Sequence, residues 1–327
     1  MPSLMRLNLL AITLFGLVVA AAPALAQQAP YPSRPIRIIA GFPPGSSIDT
    51  LARVIGPKLN ERLGQTVVVD NRPGANGIIA AELTTRATPD GHTVLMTSVS
   101  HTMSAGVYTR LPYDAARAFS PIGTVGMGPL ILVAHPALAA NSVKDLIELA
   151  KAKPNALAYG TAGTGGINHF GAALFARMAG VQFTHVPYKG GAASLTDLMA
   201  GQVQLMWATM PLSLPQIRAN RIKALGITST RRSPLLPTVP TVAEAGVPGY
   251  EINAWWGVLG PLNIPAPIVT RLNTELATIV AQPEMVQRLA AEGAEPWRLT
   301  HVEFGRHLQT EVDKWIKVAR DANIRAD

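Results

Sequence analysis

The stretch AGFPPGSSIDTLAR, residues 40–53, decides the fold because it joins a strand pattern to a helix pattern through a tight turn. Before the turn, Ile36–Ala40 is a short run rich in isoleucine, typical of a buried strand. After it, apolar residues recur at helical spacing, at Ile48, Leu51, Ile55, Leu59 and Leu63. The stretch therefore predicts a strand, a Gly/Pro-rich turn and the first turns of an amphipathic helix.

This alternation continues along the chain. Strand patterns at 66–69 and 93–97 flank a helix pattern that begins near Asn76. The βαβαβ order predicts a parallel, doubly wound sheet, in which ligands bind outside the carboxyl ends of the strands.

A second α/β unit follows, with strand patterns at 130–134, 158–160, 183–186, 203–207 and 222–227. Two segments rich in glycine or proline, 123–129 and 231–250, are predicted to connect the units. A strand pattern at 252–259 and three helix patterns end the chain, and these helices are predicted to pack on the first unit. We therefore predict an α/β protein of two lobes, with lobe I formed by residues 27–127 and 248–327 and lobe II by residues 128–247.

The N-terminus has the pattern of a secretory signal peptide. Arg6 precedes an apolar run of roughly 14 residues, and Ala24-Leu25-Ala26 is a small-x-small cleavage site. The run is shorter than the ~20 residues that a membrane-spanning helix needs. Residues 1–26 are therefore predicted to be a signal peptide that is cleaved after Ala26 on export.

Composition excludes several classes of function. The net charge of +8 comes from 28 Lys and Arg against 20 Asp and Glu, with no block of five bases and no nucleic-acid-binding motif. We therefore expect no nucleic-acid partner. The absence of cysteine excludes disulfides and thiolate chemistry, and the seven histidines form no metal-binding pattern. We expect neither a metal nor another cofactor.

A second strand–turn–helix junction occurs at AYGTAGTGGINHF, residues 158–170. At such a junction the first helical N–H groups have no partner within the helix, and the helix dipole adds partial positive charge. Both junctions are therefore suited to an anion without any Lys or Arg. One ligand carboxylate in each lobe would give about −8 kcal/mol, which corresponds to micromolar binding.

Other uses of such turns lack their signatures. Neither turn has the lysine of a Walker loop, and Gly163-x-Gly165 does not continue into a dinucleotide fingerprint. No glycine closes a nucleophile elbow after Ser46 and Ser47. A serine hydrolase that pairs one of these serines with His101 or His169 stays open, because catalytic triads are defined by geometry.

Three side chains near the two turns have alternative interpretations. His101 and His169 could face a ligand, or they could be packing or capping residues. Asp49 could contact a ligand, but a carboxylate in the first turn of a helix is somewhat more typical of a cap.

The chain resembles the extracytoplasmic solute receptors of tripartite tricarboxylate transporters, the Bug family. The shared motifs run from about Tyr31 to the C-terminus. They include YPSRPIRIIAGFPPG (31–45), GQTVVVDNRPGANG (64–77), ATPDGHTVLMTS (87–98), HVPYKGGAASLTDLMAGQVQLM (185–206) and RSPLLPTVPTVAEAGVPGYE (232–251).

The resemblance implies a type II periplasmic-binding-protein fold, a Venus flytrap, with the ligand cleft between two lobes. It implies that loops at helix N-termini hold the carboxylate of a di- or tricarboxylate, an acidic amino acid or an aromatic acid. The corresponding loops here are Phe42–Asp49 with Thr97–His101 in lobe I, and Thr161–His169 in lobe II. The candidate ligand-binding residues are Phe42, Gly45, Ser46, Ser47, Asp49, Ser98, His101, Thr161, Ala162, Gly163, Thr164, Gly165, His169 and Trp207.

Two positions depart from the family pattern. The family loop usually reads Pro-Gly-Gly-x-x-Asp, and Ser46 replaces its second glycine, which raises the question of the loop path. A family Asp-Leu-Met-Phe-Asp-Asn is here Gln204–Thr209, with Trp207 for phenylalanine and Ala208 for the second aspartate. We hypothesise a ligand that has no ammonium group and has an apolar or aromatic body.

The sequence thus predicts a monomeric periplasmic solute-binding protein without catalytic residues. Its expected partners are a small dicarboxylate or aromatic carboxylate and the membrane permease subunits of a tripartite tricarboxylate-type transporter. The alternatives are a secreted serine hydrolase and the ligand-binding subunit of a sensory system.

Overall fold

The computed structural model describes residues 31–325, so the predicted signal peptide lies outside the described residues. Across those residues, every helix is too short or too polar to cross a membrane. The strands are β1 (Ile36–Ala40), β2 (Val67–Asn71), β3 (Thr93–Ser98), β4 (Phe119–Ala134), β5 (Ala158–Thr161), β6 (Thr184–Pro187), β7 (Leu205–Thr209), β8 (Lys223–Ile227), β9 (Asn253–Pro261) and β10 (Glu295–Pro296).

The helices cover both faces of the sheet, and a single 3-10 turn, Ala75–Gly77, precedes the second of them. They are α1 (Ser47–Leu63), α2 (Ile78–Thr85), α3 (Ser100–Val107), α4 (Val143–Ala152), α5 (Ile167–Ala179), α6 (Gly191–Met199), α7 (Met210–Arg218), α8 (Ala266–Val280), α9 (Pro283–Ala291) and α10 (His301–Asp321).

The strands form two sheets that share β4. The path runs β2-β1-β3-β9-β4-β7-β5-β6, and β8 and β10 also pair with β4. Residues 119–129 of β4 pair with β9, whereas residues 130–134 pair with β7 and β8. We call the bodies built on these two sheets the first lobe and the second lobe. The predicted division of the chain at 127 and 248 stays a prediction.

The parallel sheet predicted for the first unit is confirmed for β1, β2 and β3, but the complete sheet is mixed. β1 pairs in parallel with β2 and β3, and β5 pairs in parallel with β6 and β7. In contrast, β9 runs antiparallel to both β3 and β4. The two lobes are therefore built from a mixed sheet, with the antiparallel strands where the lobes join.

The segment 123–129, predicted to connect the two units, is part of strand β4, which runs from the first sheet into the second. Two of its glycines lie where a side chain would clash with neighbouring atoms. A Cβ on Gly126 would lie 2.4 Å from Leu289 Cδ2, and one on Gly128 would lie 2.7 Å from the carbonyl oxygen of Gly293. Glycine in a strand interior marks such a close approach as well as a turn. The α9–β10 segment is therefore packed directly against β4.

Helix α10 packs against both lobes. The prediction that the tail helices pack on the first lobe is confirmed for α8, whose Glu275 pairs with Arg62 of α1. Helix α10 instead also contacts α5 of the second lobe. There the rings of Trp315 and Phe170 meet edge to face at 5.3 Å.

Candidate functional site between the lobes

A cavity of about 470 Å³ lies between the two lobes. The first lobe contributes Ser47 at the start of α1 and Trp256 of β9, and the second lobe contributes 209–212 at the start of α7. Gly128–Leu130, where β4 passes from one sheet to the other, also lines it, together with Ala254 and Glu292. A cavity of this volume suits a small organic molecule.

Ser47 is positioned to donate a hydrogen bond into the cavity. The indole Nε1 of Trp256 donates to Ser47 Oγ at 3.2 Å, so the serine oxygen acts as an acceptor there and its own hydrogen is available for a ligand. Ser47 is also the first residue of a 17-residue helix, whose unpartnered N–H groups favour an anion.

The turn that leads into α1 follows an unstrained path despite Ser46. The left-handed position is Gly45, with φ +85°, whereas Ser46 is extended at φ −66° and ψ 160°. Ser46 Oγ accepts a hydrogen bond from the Asp49 N–H at 3.3 Å and so caps the helix. The loop path thus needs glycine at position 45, where the chain has it, and not at position 46.

Asp49 holds this turn in place. Its buried carboxylate accepts hydrogen bonds from the Gly45 N–H at 2.9 Å, from Asn71 Nδ2 at 2.8 Å and from Arg53 Nε at 2.9 Å. Burial raises the pKa of this carboxyl, but the bonds from Arg53, Gly45 and Asn71 outweigh burial and the pKa lies below its usual range. The geometry supports the structural interpretation of Asp49.

Phe42 and His101 lie beside a separate, much smaller cavity of about 10 Å³. The His101 ring nitrogen Nε2 lies 2.8 Å from the carbonyl oxygen of Ala115, and the ring stacks on Tyr113 with centroids 5.8 Å apart. Burial lowers the pKa of His101 to about 4, so the ring is neutral at pH 7. Nearby, the hydroxyl of Ser98 is 2.9 Å from that of Ser100.

The second-lobe turn uses its polar side chains internally. The hydroxyl of Thr161 lies 2.7 Å from His185 Nε2, and His169 Nδ1 accepts a hydrogen bond from the Gly165 N–H at 3.3 Å. The two imidazoles stack with centroids 3.9 Å apart. Burial and the neighbouring His185 lower the pKa of His169 to about 3.

The backbone of this turn bends at two left-handed glycines. Gly163 has φ +139° and Gly165 has φ +77°, whereas Ala162 and Thr164 are exposed. A Cβ on Gly165 would lie 2.8 Å from Val107 Cγ1 of α3, so the turn reaches the first lobe. Among the described residues that line the 470 Å³ cavity, none comes from 161–169.

The prediction that Trp207 faces the ligand is wrong for this structure. Its indole has no exposed surface and packs with Tyr159, Phe175 and Phe183 in the core of the second lobe. In α5, Gly171 leaves room for the ring, because a Cβ there would lie 3.1 Å from it. Ala208 is also fully buried and is not part of the lining of this cavity.

Sequence reasoning missed two parts of the cavity wall. At the start of α7 the strand passes directly into the helix, with Thr209 ending β7 and Pro211 in the first helical turn, so the proline is the local signal for a helix start. No local sequence pattern predicts that Glu292 lines the cavity. The next residue, Gly293, packs against Met210, and this long-range contact places Glu292 in the cavity wall. Glu292 thus places an acid in the cavity wall at a position other than 208, and the hypothesis of a ligand without an ammonium group, which rests on Ala208, stays a hypothesis.

The four residues proposed for a hydrolase do not form a catalytic pair. Ser46 and Ser47 bond to the Asp49 N–H and to Trp256, and the imidazoles of His101 and His169 bond to backbone groups. Nucleophilic catalysis needs the hydroxyl and the imidazole within hydrogen-bond reach of each other. The geometry does not support acyl transfer at these residues.

Comparison with known proteins identifies the family. Residues 51–324 match the TctC family, described as the tripartite tricarboxylate transporter family receptor. The chain belongs to this receptor family. Its fold is accordingly that of the TctC/Bug periplasmic solute-binding proteins, and its relatives are solute-binding receptors and not enzymes.

Three relatives show how far the similarity extends. Protein BugT of Bordetella pertussis is 35% identical over 307 residues, which is 93% of this chain and 94% of BugT. A structure of Rpa4515 from R. palustris with adipate has a TM-score of 0.75 and 38% identity, and covers 90% of this chain and 99% of its own. The malate-bound structure of MatC from Rhodopseudomonas palustris has a TM-score of 0.72 and 29% identity, with 88% and 99% covered.

Proposed function

We propose that this TctC-family receptor captures a small organic carboxylate between its lobes in the periplasm and delivers it to the permease subunits of a tripartite tricarboxylate-type transporter. The proposed ligands are dicarboxylates and aromatic carboxylates. We further propose that the receptor acts as a monomer after cleavage behind Ala26.

The observation that carries the proposal is the cavity itself. The first turns of two helices from different lobes, at Ser47 and at Thr209–Leu212, line the same cavity. Helix N-termini favour anions, and the hydroxyl of Ser47 adds a donor. Adipate and malate, which are bound in two relatives, are both small carboxylic acids.

The rest of the lining suits the carbon skeleton of such a ligand. Pro129, Leu130, Met210, Leu212 and Trp256 supply apolar surface. Ligand sites commonly combine walls of this kind with a few polar groups that fix orientation. Because the cavity spans both lobes, a ligand in it would favour their association by contacting both at once.

Binding to purified protein tests the proposal. We expect malate, adipate or benzoate to bind with 1:1 stoichiometry in isothermal titration calorimetry and to raise the melting temperature by several degrees at 100 times the Kd. Native mass spectrometry of the protein as purified from the periplasm is expected to show a bound acid. Failure of every acid in a panel of aliphatic and aromatic carboxylates to bind would contradict the proposal.

The proposed permease partner is tested separately, by uptake of the acid into cells. Cells that carry the membrane subunits of a tripartite tricarboxylate transporter are expected to take up the bound acid only when this receptor is also present. Receptor-dependent signalling without uptake would instead support the sensory alternative.

A further inference from the structure

Among the described residues that line the interlobe cavity, Glu292 is the charged one. It caps the C-terminal end of α9, and its side chain is 24% exposed. Arg288 is its ion-pair partner at 3.6 Å, which is longer than a hydrogen bond. The Glu292 carboxylate therefore keeps acceptor capacity for a group in the cavity.

Glu292 brings a negative charge to the cavity wall beside the start of α7, and its ion pair with Arg288 at 3.6 Å offsets that charge only in part. Gly293 lies against Met210, since a Cβ on it would be 2.1 Å from Met210 Cβ, and this places Glu292 beside the start of α7. A helix C-terminus carries partial negative charge, so the end of α9 adds to the charge of Glu292.

The same contact weakens α7 as a seat for an anion. Pro211 in its first turn has no N–H, and the N-cap Thr209 makes no side-chain capping bond. The negative charge of Glu292 opposes the partial positive charge that remains there. At the start of α1 the nearby carboxylate of Asp49 is paired with Arg53 and hydrogen-bonded by Gly45 and Asn71, and Ser47 still has a hydroxyl hydrogen to donate, so Ser47 is the favoured seat for a ligand carboxylate.

We infer that Glu292 determines the charge specificity of the cavity. The ligand it favours has one carboxylate at Ser47 and, at the other end, a hydrogen-bond donor such as a hydroxyl, an amide N–H or an ammonium group. A second carboxylate at that end meets a like charge and is disfavoured. This inference rests on the proposed function, and it narrows the ligand class from dicarboxylates to monocarboxylates with a distal donor.

A series of acids with the same six-carbon skeleton tests the inference. Adipate ends in a second carboxylate, 6-hydroxyhexanoate and 6-aminohexanoate end in donors, and hexanoate ends in a methyl group. For the wild-type protein we expect Kd values for the two donor-bearing acids at least tenfold below the Kd for adipate. In Glu292→Gln we expect this preference over adipate to fall at least fivefold, because the amide no longer repels a carboxylate.

Glu284→Gln is the matched control, because Glu284 is in the first turn of the same helix and does not line the cavity. It removes the same charge and is expected to leave all four Kd values within twofold. An unchanged preference in Glu292→Gln, or an adipate preference in the wild type, would overturn the inference while leaving carboxylate binding intact. If none of the four acids binds the wild type, the inference fails, whereas the proposed function fails only if every acid in the wider panel of aliphatic and aromatic carboxylates also fails to bind.

Discussion

Trp256 of β9 donates a hydrogen bond to the hydroxyl of Ser47 across 3.2 Å, and this bond fixes the first turn of α1 against the wall of the interlobe cavity. The bond leaves one serine hydrogen to be donated and orients it away from the indole. The anion seat is therefore preorganised by a neighbouring strand, and it needs no charged side chain of its own.

An added negative charge at this seat is expected to abolish carboxylate binding. Ser47→Asp places an anion where the ligand carboxylate is proposed to lie, and we expect a loss of affinity of at least 100-fold by calorimetry. Aspartate in the first turn stabilises a helix, so the variant is expected to fold. Thr50→Asp adds the same charge one turn along α1, outside the cavity lining. A wild-type Kd in Ser47→Asp would mean that the seat is misplaced.

Exchange of the residue types at the two neighbouring positions of the α1 turn should reduce stability by different amounts. Ser46→Gly removes a helix cap but leaves the backbone in an allowed conformation. We therefore expect the free energy of unfolding to fall by only a few tenths of a kcal/mol. Gly45→Ser places a side chain at φ +85° and is expected to cost about 1–2 kcal/mol. Urea unfolding of both variants measures the difference. Equal costs would contradict the assignment of the left-handed position to residue 45.

Loss of the Asp49 carboxylate is expected to destabilise the fold. Asp49→Ala removes a buried carboxylate that accepts hydrogen bonds from the Gly45 N–H and the Asn71 amide. We expect about 2–4 kcal/mol less free energy of unfolding, together with weaker ligand binding because the turn loosens. Asp145→Ala provides a control at the start of α4, where the aspartate is only half-buried and its carboxylate accepts a hydrogen bond from the Asn141 N–H. It should lower the melting temperature less than Asp49→Ala.

Buried neutral histidines make the fold sensitive to acid. Burial lowers the pKa of His101 to about 4 and, with His185, lowers that of His169 to about 3, whereas an unfolded chain protonates histidine near ~6.5. Stability is therefore fully present above ~6.5 and is lost as the pH falls from there toward the folded-state values. The loss is up to ~1.4 kcal/mol per pH unit for each histidine.

Urea unfolding at pH 7, 6 and 5 measures this dependence. In His101→Gln one titrating group is absent, so the decline in the free energy of unfolding between pH 6 and pH 5 should be shallower by about 1 kcal/mol. The same slope in the variant and the wild type would show that His101 does not contribute.

The sequence predicted the first strand–turn–helix unit well because its signals are local. The start of α1 follows from Ser46 and Asp49, which have the residue types of a helix cap and a first-turn acid. At β4 the sequence indicated where the chain passes between the units but not its conformation, because Gly126 and Gly128 lie inside a strand. Their role is to let α9 and its following turn approach the strand, and no local pattern distinguishes that role from a turn.

The candidate site was predicted only in part because local patterns do not say which turns meet. Ser47 lines the cavity as expected, but the second-lobe wall begins at Thr209 and not within the glycine-rich turn at 161–165. Trp207 and its neighbours lie in a strand with both faces buried, so strand alternation could not assign the indole to ligand or to core. Glu292 reaches the cavity from 82 residues further along the chain through the contact of Gly293 with Met210.

Strand β4 also affects how the protein unfolds. Its first eleven residues complete one sheet and its last five complete the other, without an intervening loop. Melting either sheet therefore strips backbone hydrogen bonds from the strand on which the other sheet depends. The lobes should behave as one cooperative unit in calorimetry, and a fragment that contains only one of them would expose an unpaired central strand edge, which favours aggregation over folding.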